Sequence, residues 1–221
     1  MKILVTAGGT KEYIDGVRYI GNCSSGQTGA DLVDYLSAQG HEVTWVGARS
    51  AFKPKNAWVN LRYETFDDLS NVLQDSLKNH AYDLVFQAAA VSDFSVSKVI
   101  LDGKAHEAGR GVKLPTADEV QLILTKQPKL VSSIKQWSKN PHLQVVAFKL
   151  TNTLDAQLRS KAVNKLIQQT AIDWVAHNDL HEISKHSHAF SLYQNAEQPP
   201  MVCADYRALV DSVIKHLEVQ S

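Results

Sequence analysis

Ile3-Leu4-Val5-Thr6-Ala7, closed at once by Gly8-Gly9, is the stretch that decides the fold. A short apolar run with no polar alternation marks a strand buried on both faces, and such strands belong to parallel sheets. The same unit recurs downstream. A helix is expected from near Ser25, where Ala30, Leu32, Val33 and Leu36 form an apolar stripe that stops before Gly40. Val43-Thr44-Trp45-Val46 is the second strand and Leu61 to Phe66 the third. Asp67-Asp68 then open a helix carrying Leu69, Val72, Leu73 and Leu77, acidic residues being favourable at a helix start. Asp83 to Phe86 is the fourth strand and runs into Ala88-Ala89-Ala90. Alternating strands and helices predict a doubly wound, mostly parallel, Rossmann-like α/β sheet.

Residues 94–115 hold Gly109, Gly111 and several lysines without a sustained period, and are expected as a flap-like loop with at most short strands. Val120, Leu122 and Leu124 alternate like a strand. Pro128 suits the first position of a helix continued by Leu130, Val131, Ile134 and Trp137. Val145 to Phe148 is another buried strand, followed by a helix across 154–169 and a strand at Ile172 to Val175. Ala189 to Tyr193 and Met201-Val202, around Asn195 to Pro200, predict an antiparallel hairpin appended at about 189–202. A last helix carries Tyr206, Leu209, Val210, Val213, Ile214 and Leu217. The 221 residues are expected to form a single domain, 1–221.

Composition excludes several function classes. Lys plus Arg (23) equals Asp plus Glu (23), whereas nucleic-acid binders usually show a basic excess. Cys23 and Cys203 are too few for a disulfide framework and have no metal-like spacing, as in a reducing cytoplasm. No apolar run approaches the roughly 18 residues of a membrane span. The N-terminus enters a strand with no basic leader, so a cytoplasmic protein is expected.

Ligands of open parallel sheets bind outside the carboxyl ends of the strands. Four segments fall there. Gly8-Gly9-Thr10 follows the first strand and lets backbone N–H groups approach a phosphate, although a tight turn explains the same glycines equally well. Gly21 to Gly29 fits G-x-x-x-x-G-K-[ST] except that Gln27 replaces the lysine, and it begins some fifteen residues after the strand rather than immediately. Ser24, Ser25 and Gly26 at a helix start still suit an anion, since unpaired N–H groups and the helix dipole favour negative charge; the bland reading is a serine cap. Ala88-Ala89-Ala90 leaves room for a flat ring, and Asp93 suits hydroxyls or a metal, against a plain reading of close helix packing. Phe148-Lys149 is the fourth segment. Cys23 has no histidine nearby in sequence, which argues against a thiol nucleophile.

Taken together these blocks are specific. Val5-Thr6-Ala7-Gly8-Gly9-Thr10, Ile14-Asp15-Gly16-Val17-Arg18-Tyr19-Ile20, Asn22-Cys23-Ser24-Ser25-Gly26 and Gly40-His41-Glu42-Val43-Thr44 resemble, in order and spacing, the phosphopantothenate–cysteine ligases (phosphopantothenoylcysteine synthetases) of coenzyme A biosynthesis. Ala88 to Phe94, Phe148-Lys149-Leu150 and Asn178-Asp179-Leu180 continue the likeness, and the length matches the stand-alone form. The resemblance implies activation of the carboxylate of 4′-phosphopantothenate by CTP, or by ATP, with Mg2+. An acyl-nucleotidyl intermediate and pyrophosphate result, and the amine of cysteine attacks the intermediate. It assigns Asn22 to the activated acyl group and Ser24, Ser25 and Gly26 to phosphate. Ala89, Ala90, Asp93, Phe148, Lys165 and the stretch Gln127-Pro128-Lys129-Leu130 fall to the nucleotide, with Gly8, Gly9 and Thr10 beside them. The essential flap lysine matches Lys113 best, ahead of Lys98 and Lys104. A homodimer is implied, with the hairpin suited to its contacts; no nucleic acid or membrane is.

The chain departs from the family pattern at Cys23, where histidine is common, at Gln27, where a basic residue is common, and at Gln168-Gln169, where a second lysine is expected. His181, His186 and His188 lack a ligand spacing and are expected in a solvated loop. The competing reading is an NADP- or flavin-binding oxidoreductase on the same sheet. The missing G-x-G-x-x-G and the strand ending Val46-Gly47-Ala48-Arg49 count against NAD, while Arg49 would tolerate a 2′-phosphate.

Overall fold

A computed structural model describes residues 1–184 and 188–220. The chain runs β1 (Lys2–Ala7), β2 (Lys11–Tyr13), β3 (Tyr19–Gly21), α1 (Gln27–Ala38), β4 (Glu42–Ala48), β5 (Val59–Tyr63), α2 (Phe66–Asn79) and β6 (Leu84–Gln87). It continues through β7 (Phe94–Leu101), β8 (Lys104–Glu107), β9 (Val120–Lys126), a 3-10 turn (Leu130–Ser133) and α3 (Ile134–Trp137). Last come β10 (Gln144–Thr151), α4 (Ala156–Ile167), β11 (Trp174–Asp179), β12 (Phe190–Tyr193), β13 (Met201–Cys203) and α5 (Tyr206–Gln220).

The main sheet has the order β13-β12-β11-β10-β6-β1-β4-β5. From β5 to β11 every neighbour is parallel. By order of appearance those six strands read 3-2-1-4-5-6, the doubly wound arrangement expected, with its switch point between β1 and β6. Ile3, Leu4 and Val5 are fully buried, as the unalternated run requires. On one face α1 meets α5, where the Tyr35 hydroxyl donates to Asp211 (2.9 Å). The other face carries α2 and α3 and, over β10 and β11, α4.

Helix ends follow local chemistry. Thr65 caps α2 by accepting the Asp68 N–H (3.1 Å), and Asp68 accepts in return from Thr65 N (3.1 Å). Phe66 is therefore the first residue of the helix and not the last of the strand. Past α1, Gly40 takes the left-handed conformation (φ 85°) that closes many helices.

Two further expectations are corrected. Residues 94–115 are not a loop with at most short strands: β7 is eight residues long and joins β8 and β9 in a separate antiparallel sheet, β8-β7-β9. Its alternation is hidden because the register shifts between Val96 and Lys98, and the β7–β8 turn is Asp102-Gly103, both at positive φ (47° and 79°), a strong hairpin signal. Second, Pro128 does not begin a helix; a 3-10 turn starts at Leu130 and α3 is a single turn. The antiparallel hairpin expected at 189–202 is present and is appended to the edge of the main sheet, β12 pairing antiparallel with β11 and β13 with β12. The small β2–β3 hairpin has no forecast in the sequence reading.

That hairpin buries an acid. Glu12 on β2 is 7% exposed and accepts the Phe66 N–H (3.2 Å) at the start of α2. Burial lifts its carboxyl to about 7, the Phe66 N–H opposing this and the Asp67 charge adding to it. A carboxyl raised in the fold above its ordinary 4.5 favours folding when protonated, and that contribution is lost as pH rises from 4.5 through about 7. Glu12→Gln is expected to remove this loss. Chemical denaturation should find the variant more stable than the parent at pH 8.5, by about 1–2 kcal/mol, and little different at pH 4.5.

Candidate active site

A cleft of about 630 Å³ opens at the carboxyl ends of β1, β6 and β10. It is lined by Asn22 to Gly29, Gln87 to Asp93, Pro128 to Val131 and Ala147 to Leu150, with Ala162, Lys165, Leu166 and Gln169 from α4 and beyond. Asn178, Ile183, His188 and Phe190 complete it. An open groove of about 710 Å³ along α4 is lined by residues of that helix and its end, from Ala156 to Gln168, and it shares only Lys165 with the cleft.

Its floor is an extension of the β1–β6 ladder. Beyond the strands, Ala90 N donates to Gly8 O (2.8 Å), Thr10 N to Ala90 O (3.2 Å) and Ser92 N to the Thr10 hydroxyl (2.9 Å). The Tyr63 hydroxyl, kept protonated because burial pushes it well up, is shared between Ala7 O (2.9 Å) and Gly8 O (3.0 Å). Gly8, Gly9 and Thr10 thus do not line the cleft; they carry its wall. A Cβ on Gly9 would stand 2.2 Å from the Asn22 carbonyl oxygen, so only glycine lets the Asn22 loop lie there.

One wall is the start of α1. Its cap is Gly26, left-handed (φ 72°) and without a side-chain hydrogen bond, so the bland reading of a serine cap is not what forms. Ser25 Oγ accepts only weakly from Gln27 N (3.3 Å). A Cβ on Gly29 would stand 2.4 Å from the Ala7 Cβ, so the helix packs directly on β1, and Gln27, Thr28 and Gly29 of its first turn line the cleft. Asn22 reaches over the floor, its Nδ2 donating to Val91 O (3.2 Å). On the far side Asp93 pairs with Lys129, and Asp93 O accepts from Gln127 N (2.8 Å). Gln127 holds that turn without lining the cleft; Pro128, Lys129 and Leu130 line it.

Lysines outnumber acids. Lys129, Lys149 and Lys165 line the cleft against one carboxylate, Asp93. Lys113 is elsewhere: it is exposed, outside the lining, on the loop between β8 and β9. That loop is fastened to the β2–β3 turn. Leu114 N donates to Asp15 (3.3 Å), and Arg18 donates both to Asp15 (2.6 Å) and to Leu114 O (3.2 Å), holding the Asp15 carboxyl well below the usual range. Arg110 of the same loop pairs with Glu64. Burial would lift Glu64, but the Tyr13 hydroxyl, Lys11 and Arg110 hold it below the ordinary value.

Several lining residues went unassigned in the sequence. His188, expected in a solvated loop, is half-buried in the cleft, stacked on Phe190 (4.7 Å) and bonded to Asn178 (2.7 Å). Burial lowers its pKa, with Asp31 opposing. Phe190 meets Phe148 edge-on (5.9 Å). His181 is exposed, and His186 lies outside the described residues. Gln87 ends β6; its place as the last residue of a parallel strand was the available signal. At the end of β11 Asp179 is fully buried; burial raises its carboxyl, but the Thr151 hydroxyl, the His181 and Thr153 N–H groups and Arg159 bring it down to about 2. Among the described residues no group of three His, Cys, Asp or Glu side chains is placed to hold a metal, and no helix is long and apolar enough to cross a membrane.

Residues 1–217 match the family described as the DNA/pantothenate metabolism flavoprotein C-terminal domain. The chain belongs to this family. It is similar to the coenzyme A biosynthesis bifunctional protein CoaBC of Thermococcus kodakarensis, 34% identical over 179 residues, 81% of this chain and 41% of that protein. The CoaBC of Mycobacterium tuberculosis (strain CDC 1551 / Oshkosh) is 38% identical over 100 residues, 44% of this chain and 23% of that protein. The chain therefore spans less than half the length of these curated relatives. Among solved structures, the DNA/pantothenate metabolism flavoprotein from Streptococcus pneumoniae superposes with a TM-score of 0.85 at 25% identity over 100% of both chains. A Cab2 mutant solved in complex with phosphopantothenate-cysteine shares the fold, with a TM-score of 0.76 at 17% identity over 98% of this chain and 86% of that one.

The packing at Gly9 gives a test. Gly9→Ala is expected to displace the Asn22 loop and to cost about 2–3 kcal/mol of stability, on the scale of other forced overpacking. Chemical denaturation measures the loss, and a variant as stable as the parent would show that the loop gives way freely.

Proposed function

We propose that this chain joins 4′-phosphopantothenate to cysteine, using CTP, or ATP, to activate the carboxylate. The observation that carries the reading is the cleft at the β1–β6 switch point, where the uncapped start of α1 with Ser24 and Ser25 faces three lysines. Two anions must meet for a carboxylate to attack an α-phosphate, and oriented N–H groups with cations supply what that meeting lacks. Family membership, and the relatives named for coenzyme A biosynthesis, favour the same chemistry.

In the first step a carboxylate oxygen bonds to the α-phosphorus, and the bond from that phosphorus to the bridging oxygen breaks, releasing pyrophosphate. In the second the cysteine amine, after losing a proton, bonds to the acyl carbon, and the acyl–oxygen bond breaks to free the nucleoside monophosphate. Ser24, Ser25 and Gly26 hold phosphate, and Lys129, Lys149 and Lys165 offset charge. Asn22 donates an N–H to the acyl oxygen without adding a negative charge beside it. Lys113 acts if the β8–β9 loop brings it over the cleft, adding a cation as water is excluded. Among the described residues Asp93 is the one lining carboxylate that would hold Mg2+, which suits an ion that keeps most of its contacts with phosphates and water. The working form is a cytoplasmic homodimer of this single unit, with the β12–β13 hairpin available for contacts.

Pyrophosphate is expected only when both a nucleoside triphosphate and phosphopantothenate are present, with cysteine completing turnover. No pyrophosphate with either CTP or ATP would overturn the reading. Asn22→Asp and Lys113→Ala are each expected to slow turnover at least about tenfold while leaving the melting temperature within a few degrees. A near-normal rate in Lys113→Ala would move the cation's role to the lysines already lining the cleft.

A further inference from the structure

Three cations meet at one carboxylate beside the β2–β3 hairpin. Lys11 (3.3 Å), Arg49 (3.7 Å) and Arg110 all pair with the buried Glu64, and none of these four residues lines the cleft. We propose that this cluster binds the phosphate monoester of the acid substrate, holding the far end of 4′-phosphopantothenate while its carboxylate meets Asn22. The inference rests on the ligase reading and deepens it.

Charge leaves room for such a group. One carboxylate against three cations leaves two positive charges, and a phosphate monoester carries about −1.5 to −2 near neutral pH. The neighbouring acids are engaged elsewhere: Asp15 by Arg18, Asp68 in the cap of α2, and Glu12 against the Phe66 N–H. The Arg49 and Arg110 side chains are 70% and 58% exposed, so guanidinium N–H groups stay open to a ligand. The cations are also held in place. Lys11 stands over the Tyr19 ring (4.5 Å) and Arg110 over Tyr13 (4.9 Å), and the two rings meet at 6.0 Å. Cations already ordered lose less freedom when an anion arrives.

Reach fits the same substrate. Lys11 pairs with Gly21 across the hairpin and Asn22 is the next residue, so the Lys11 and Asn22 backbones stand about 6 Å apart. With the length of a lysine side chain added, the cluster lies on the order of 10 Å from Asn22. About nine bonds separate the carboxyl carbon of 4′-phosphopantothenate from its phosphorus, and three bonds of an extended chain span about 3.5 Å, so the molecule reaches about 10 Å. Gly21 lies between, exposed and without a side chain to bar the way. The start of α1 follows Asn22 on its other side, facing Lys129, Lys149 and Lys165. The two phosphate-bearing substrates therefore draw on separate sets of cations.

The test compares 4′-phosphopantothenate with pantothenate, which lacks the phosphate, in calorimetric binding and in pyrophosphate release with CTP or ATP. Wild type is expected to bind the phosphorylated acid about a hundredfold more tightly. Arg49→Gln is expected to weaken phosphopantothenate about tenfold, and pantothenate and the nucleotide less than about twofold, with Arg49→Lys recovering part of the loss. Lys11→Gln should act in the same direction from the other side of the cluster. Equal binding of the two acids by wild type overturns the proposal without need of any variant. So does an undiminished phosphate preference in folded Arg49→Gln and Lys11→Gln proteins, or a loss confined to the nucleotide, which would give the cluster to the triphosphate. The two readings fail separately. A phosphate preference that falls in Arg49→Gln, with no pyrophosphate from wild type, would sink the ligase reading alone. Pyrophosphate release with the preference intact in both variants would sink only the role of the cluster.

Discussion

The Gly8–Ala90 and Thr10–Ala90 hydrogen bonds, which carry the β1–β6 pairing past the ends of both strands, are the contacts on which the cleft depends. Strands that diverge at a switch point usually leave a crevice with loops on either side. Here the ladder persists far enough to fix the floor before the walls separate. The Tyr63 hydroxyl then holds the Ala7 and Gly8 carbonyls, and the Thr10 hydroxyl holds Ser92 N. Each hydrogen bond lies in buried surroundings, where an unpaired partner would be expensive. The floor is stiff for the same reason that a sheet is.

Charge is distributed differently from a lysine-bearing phosphate loop. Gln27, where such a loop has its lysine, turns its amide toward Asp31 (2.8 Å) and away from this role. Positive charge instead comes from β10, α4 and the segment ahead of the 3-10 turn, through Lys149, Lys165 and Lys129. Spreading the cations across the cleft places them around a ligand and not at one end of it. Lys129 is held by Asp93, so a ligand anion must compete with that carboxylate for it.

The parallel core was legible in the sequence because each strand is an unbroken apolar run and each helix keeps its period. Ile3 to Ala7, Val43 to Val46 and Val145 to Phe148 leave little alternative once Gly and Asp mark their ends. The β7–β9 sheet was not legible, since a register shift at Val96–Lys98 interrupts the alternation on which strand reading relies. At the site, Asn22 to Gly26, Ala89 to Asp93, Lys129 and Phe148 do converge: the first run leads into α1, the second follows β6, Lys129 precedes the 3-10 turn and Phe148 lies in β10. Gln87, Asn178 and His188 come from register and from the reach of β12. No local spacing reveals that a strand's last side chain faces a cleft, or that a later hairpin will bring Phe190 behind Phe148.

The β2–β3 hairpin joins two parts of the molecule that otherwise have no reason to move together. Toward the core it ends at Gly21, so Asn22 is the next residue of the chain. Toward the β8–β9 loop its Asp15–Arg18 turn grips Leu114 on the carboxyl side of Lys113, while Gly16 N donates to Val112 O on the other. Arg110 and Glu64 add a second fastening to the strand β5 side. Lys113 is thus pinned through both neighbours to the element that presents Asn22. Any motion of the Lys113 backbone over the cleft must either break the Asp15 contacts or take the β2–β3 hairpin with it. In the second case Asn22 moves as well, so that Asn22 and Lys113 shift as one unit.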